Sequence, residues 1–126
     1  MMEIISVAVG GALGAVCRYL LGNFISRMSG SALPWGTFAI NIIGCFCMGL
    51  LMTLIVERGL LPAVGRLFLC VGLLGGFTTF SSFGYESLML LTEGNIAAAA
   101  AYSGGSLLLG LLAAGAGAVS YTHLRA

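Results

Sequence analysis

The chain contains no lysine and no aspartate. Its charge rests on five arginines and four glutamates, 7% of the residues. An ordinary soluble domain is about 25% charged. So few charges cannot cover a soluble surface, which excludes a cytosolic globular enzyme. Disorder is excluded for the opposite reason: a chain that is 60% hydrophobic is too apolar to remain solvated. A net charge of +1 leaves no basic footprint for nucleic acid. With one histidine, no aspartate and no carboxylate pair, acid–base catalysis has no candidate residues, and the chain reads as a non-enzyme. The four cysteines, Cys17, Cys45, Cys47 and Cys70, match neither a zinc spacing nor an extracellular disulfide framework. They read as small apolar packing residues. What remains is an integral membrane protein, small enough to work as an oligomer.

The gaps between charges carry the topology. Residues 28–56, 67–85 and 94–124 hold no charge, and 4–26 are broken only by Arg18. A spanning helix needs roughly 20 mostly apolar residues, and the bilayer satisfies no backbone groups, so the spans are helical. The expected fold is all-α: one membrane domain over 1–126, with transmembrane helices near 3–26, 35–56, 62–92 and 95–119. Ser29-Gly30-Ser31 with Pro34, Glu57-Arg58-Gly59 with Pro62, and Glu93-Gly94-Asn95 supply the turns. Trp35 falls where an indole favours the headgroup level. Glu3 and Arg18 argue against a cleavable signal segment at the start. Arg58 and Arg66 lie on one side with the C-terminus, and Arg27 with Arg18 on the other. The near balance gives the positive-inside rule little to act on, which permits insertion in both orientations. Residues 120–126 do not continue the Gly/Ala/Leu pattern before them. They are either a native or an added end, and no function is placed there or on His123.

The run Val9-Gly10-Gly11-Ala12-Leu13-Gly14 lacks the flanking strand and the Gly-Lys-Ser/Thr of a phosphate loop. The pairs Gly10/Gly14 and Gly72/Gly76 read instead as close helix packing. The most informative stretch is Gly75-Gly76-Phe77-Thr78-Thr79-Phe80-Ser81-Ser82-Phe83, mid-way along the third span. Adjacent glycines weaken a helix, and four hydroxyl residues follow. Two readings stand: a glycine kink with hydroxyls bonded back to the preceding turn, or a broken helix presenting carbonyls to a cation. Phe77, Phe80 and Phe83 are either lipid or core contacts, or ring edges whose positive rim receives an anion. Asn41, one turn after Thr37, needs a helix partner or a pore. Tyr102 and Ser106, four apart, form a polar stripe. Arg18 and Glu86, charges placed within spans, are either structural or functional.

Together these residues resemble the Fluc (CrcB) family of fluoride channels, from about residue 8 to about 119. Four landmarks carry the resemblance: Gly10 to Ala15 with Arg18-Tyr19; Trp35-Gly36-Thr37 with Asn41; Gly75 to Phe83 with Glu86; and the Tyr102/Ser106 stripe. The resemblance implies an antiparallel, dual-topology homodimer in a bacterial or archaeal inner membrane, with fluoride, membrane lipid and its own second copy as partners. It implies passive fluoride exit through two pores, and a structural sodium ion at the dimer centre held by the main-chain carbonyls of Gly75 and Thr78 in a broken third helix. Asn41, Phe80, Phe83, Tyr102 and Ser106 match pore positions. Ser81 and Ser82 match positions close to the ion path, and Arg18, Thr37, Thr79 and Glu86 match vestibule or nearby polar positions. Ser82 replaces a more usual threonine, and Gly110 offers no hydroxyl where some members carry serine. The rival reading, a small dual-topology drug/proton antiporter, needs a membrane-embedded carboxylate. Glu3 is terminal and Glu86 lies late in its helix beside hydroxyls. A third reading, a non-transporting packing protein, gives no reason for the Gly/Thr/Ser cluster at mid-membrane.

Overall fold

The structure, a computed structural model, describes residues 1–31 and 33–125, with side chains described as far as Ser120. Among these described residues, four stretches are long and apolar enough to cross a membrane: Met2–Ser29, Trp35–Arg58, Ala63–Thr92 and Ile96–Ser120. The first is helix α1 (Met2–Ser29) and the second α2 (Trp35–Arg58). Each runs a little beyond the expected ends, because the turn residues rather than the charges stop them. Gly59 closes α2 at φ 57 and donates its N–H to the Ile55 carbonyl, a left-handed cap that glycine adopts without a Cβ penalty.

The third span is composite. It starts as α3 (Ala63–Arg66), continues as a π-helix over Leu67–Leu74, and returns to α geometry in α4 (Gly75–Phe77). Thr78 and Thr79 are then extended, and α5 (Phe80–Thr92) completes the crossing. Gly75 itself keeps right-handed helical angles. The discontinuity therefore falls after the glycine pair, not on it. The fourth span is α6, Ile96–Arg125, whose start is held by Asn95 Oδ1 accepting the Ala98 N–H at 3.2 Å. Its backbone continues past the expected end near 119. The side chains of 121–126, His123 included, lie outside the described residues.

Two close crossings organise these elements. α1 packs along the π segment and α4: a Cβ on Gly10 would sit 2.5 Å from the Phe68 carbonyl oxygen, and one on Gly14 would overlap that of Leu73. α2 packs along α6, where a Cβ on Gly49 or Gly117 would overlap the carbonyl of Ala114 or Phe46. Lipid tails are as apolar as leucine, so association comes from such backbone approach rather than from water exclusion. The buried apolar set is correspondingly thin: Ile40, Cys70, Leu74, Leu90, Ala99 and Tyr102. Many leucines and phenylalanines face outward, as a bilayer solvent permits.

Candidate functional site

The site is built around the two extended threonines. An extended residue points its N–H and C=O to the same side, as in a strand. Asn41 of α2 supplies the complement. Its Oδ1 accepts the Thr79 N–H at 2.8 Å, and its Nδ2 donates to the Thr79 carbonyl at 3.0 Å. The Thr79 hydroxyl caps α5 by accepting the Ser82 N–H at 3.2 Å, and it lies 3.4 Å from Ser81 Oγ. Thr78 Oγ1 donates back to the Leu74 carbonyl at 3.1 Å. Arg18 Nε reaches from α1 to donate to the Gly76 carbonyl at 3.0 Å. The bonded-back hydroxyl expected of a kink and the diverted backbone expected of a break thus occur together, on neighbouring residues.

These bonds redirect the helical ladder. In an uninterrupted helix the Gly75 carbonyl would accept from Thr79 N–H, and that of Thr78 from Ser82 N–H. Here both N–H groups go to side-chain oxygens instead.

Two cavities meet at this point, and Thr79 lines both. On one side a groove of about 310 Å³ is lined by Asn41, Cys45, Phe80, Phe83 and Ser106, among others. The Phe80 and Phe83 ring centroids are 5.8 Å apart, and Phe83 lies 5.4 Å from the Tyr102 ring. Phe80 is 80% exposed, so the groove is open on its flank. Ser106 Oγ is buried and has no hydrogen-bond partner among the described residues. On the other side a polar cavity of about 170 Å³ is lined by Arg18, Asn23, Ser26, Thr37, Ser82 and Glu86. The Glu86 carboxylate accepts from Thr37 Oγ1 at 3.1 Å and from the Tyr102 hydroxyl at 3.0 Å, tying α2, α5 and α6 together.

Tyr102 and Ser106, read as one stripe, therefore differ in their surroundings: the Tyr102 hydroxyl donates to Glu86, while Ser106 lines the phenyl groove with its Oγ buried. Phe77 is not among the residues lining that groove. Asn23 and Ser26 escaped notice in the sequence because both sit where a helix end is polar in any case. Gly44 escaped too, although its spacing of three from Asn41 puts it on the same face. A Cβ there would overlap the Thr78 side-chain methyl.

The model of the family described as "CrcB-like protein, Camphor Resistance (CrcB)" matches residues 5–118. The chain belongs to the CrcB family. The matched region takes in every residue of both cavities. Among curated CrcB relatives, a Chloroflexus aurantiacus protein is 50% identical over 113 residues, covering 90% of this chain and 90% of its own length. A Thermus thermophilus protein is 51% identical over 108 residues, covering 86% and 84%, and one from Agrobacterium fabrum is 45% identical over 117 residues, covering 93% and 94%. All three bear the name "Fluoride-specific ion channel FluC". With its four spanning stretches this CrcB protein is a multi-pass protein of the plasma membrane, and its relatives are named as channels, not enzymes.

Proposed function

We propose that this CrcB protein is a fluoride channel, letting fluoride leave the cytoplasm passively and so lowering its toxicity. The observation that carries the reading is the phenyl groove itself: Asn41, Phe80, Phe83 and Ser106 line one open groove, with no formal charge among the lining residues. Fluoride is small and strongly hydrated. Neutral amide, hydroxyl and aromatic C–H donors replace its water piecemeal, and none holds it tightly enough to trap it. Arg18, at the edge of the adjoining polar cavity, favours anion entry. In acid surroundings HF enters neutral and ionises inside. The membrane potential then drives the anion out, with about 2.3 kcal/mol per charge per 100 mV.

The working unit of this proposal is an antiparallel, dual-topology homodimer. The exposure of Phe80 and the open flank of the groove support it, since one copy leaves the path unwalled. The near balance of arginines supports insertion both ways. A structural sodium ion at the dimer axis fits the residues present. Gly75 and Thr78 have carbonyls whose helical N–H partners are diverted elsewhere, and carbonyl oxygens suit a hard cation. When bound, the ion supplies positive charge that holds the two interrupted helices against each other.

The antiporter reading draws on Glu86, a carboxylate within a span, but both of its oxygens are already engaged by neighbours. Purified protein in fluoride-loaded liposomes separates the two. Rapid efflux that requires a potassium/valinomycin shunt is the expected result. Efflux unchanged without the shunt, accompanied by stoichiometric proton movement, overturns the channel reading.

A further inference from the structure

We infer that Asn41 is a positioning residue for the cation site as well as part of the groove lining, so that one side chain couples the fluoride path to the dimer centre. This rests on the sodium reading above. The argument is one of hydrogen-bond accounting. The Thr79 N–H has two candidate acceptors: the Gly75 carbonyl, four residues back, and Asn41 Oδ1. The structure gives it to Asn41 at 2.8 Å, and the same amide donates to the Thr79 carbonyl at 3.0 Å. This paired contact matches the strand-like angles of Thr79, φ −148 and ψ 121, and would be lost if Thr79 turned helical. Holding Thr79 extended keeps the Gly75 carbonyl out of the ladder.

Without the amide, the Thr79 N–H becomes an unsatisfied donor among helices. The group is part-buried, and a donor left unpaired away from water costs about 1–3 kcal/mol, so the N–H returns to its helical partner and occupies the oxygen that sodium needs. Among the described residues, the hydrogen bonds of Asn41 to the break both run to Thr79. α2 supports the break at a second place, where Gly44 leaves room for the Thr78 methyl. The sequence separation of 38 residues between Asn41 and Thr79 makes this a tertiary constraint, not a local cap.

The test is a sodium titration of dimer thermal stability in detergent, with N-methylglucamine as the replacing cation. For Asn41→Leu the sodium concentration giving half the stabilisation should rise about tenfold, the loss of one such hydrogen-bonded arrangement. Ser106→Ala, which alters the groove but not the break, should lower fluoride flux and leave the titration unmoved. If Asn41→Leu forms no dimer at any sodium concentration, Asn41→Ser carries the comparison, because its side chain is too short to pair with both groups of Thr79. Leucine or serine variants that titrate within about twofold of the unaltered protein overturn the coupling while leaving the sodium site standing. An unaltered protein whose dimer ignores sodium overturns the site and the coupling together.

Discussion

The two cavities that share Thr79 differ in how they treat charge. The polar cavity holds a guanidinium and a carboxylate, and both are tied down: Arg18 by the Gly76 carbonyl, Glu86 by Thr37 and Tyr102. The phenyl groove holds no charged residue, and the buried Ser106 hydroxyl has no partner among the described residues. On the proposed reading, attraction of an anion and its passage fall to different walls. A fixed positive charge lowers the electrostatic barrier at the approach but would retain a small anion inside a narrow path. Neutral donors do the reverse. On that reading, a charge held in the other cavity that Thr79 lines lets each cavity do what the other cannot.

That division can be broken from either side. The largest effect is expected in the groove. Phe80→Ile or Phe83→Ile keeps much of the bulk and loses the aromatic edge, and fluoride efflux from liposomes should fall roughly a hundredfold, near 3 kcal/mol of barrier. Unaltered efflux with an intact dimer on gel filtration would return both rings to packing. In the polar cavity, Arg18→Gln should slow efflux about tenfold at low ionic strength and distinctly less at high, since salt screens a steering charge. Arg18→Lys restores the charge but not the planar donor, so it separates steering from the contact with Gly76. A salt-independent loss in Arg18→Gln would mean that the contact, not the charge, matters. A smaller change, about threefold, is expected for Ser106→Ala, which removes one neutral donor from the path. The smallest sharpens the boundary: Ser103 Oγ donates to Ser87 Oγ at 3.0 Å outside both cavities. Ser103→Ala should leave efflux unchanged and cost at most about 1 kcal/mol of stability.

The spans were legible in the charge gaps because hydrocarbon tolerates neither charges nor free backbone groups, and that constraint needs no tertiary information. The glycine spacings of α1 were legible for a similar reason, since few uses remain for Gly10 and Gly14 inside a membrane. The discontinuity was harder to place. Gly75-Gly76 draw attention to weakness, yet a glycine pair stays helical when its neighbours are bonded, and Gly76 is used for contact with α1. What fixes the position at Thr78-Thr79 is an amide on another helix, and no local pattern announces a partner so distant in sequence. The same limit hid the split between Tyr102 and Ser106. One stripe on a helix meets two different neighbours, and only the packing of α5 tells them apart. The π segment left no trace at all, because Leu67–Leu74 is an apolar run that either helical pitch would accommodate.

That π segment acts as a vernier. Gly10 and Gly14 stand four residues apart on α1, but the carbonyls they meet, on Phe68 and Leu73, are five apart. Two parallel scales of unequal division are aligned at successive marks because one helix is wound a residue wider per turn. The extra division is taken up before Gly75, so everything downstream inherits its rotational setting from it. Each residue of an α-helix turns the chain by about 100°. Were the stretch re-wound to ordinary pitch with its residues kept, Thr79 would swing away from Asn41, and the contact of Gly14 with the Leu73 carbonyl would be lost with it. The winding of this stretch is therefore a dimension of the site, even though none of its side chains lines either cavity.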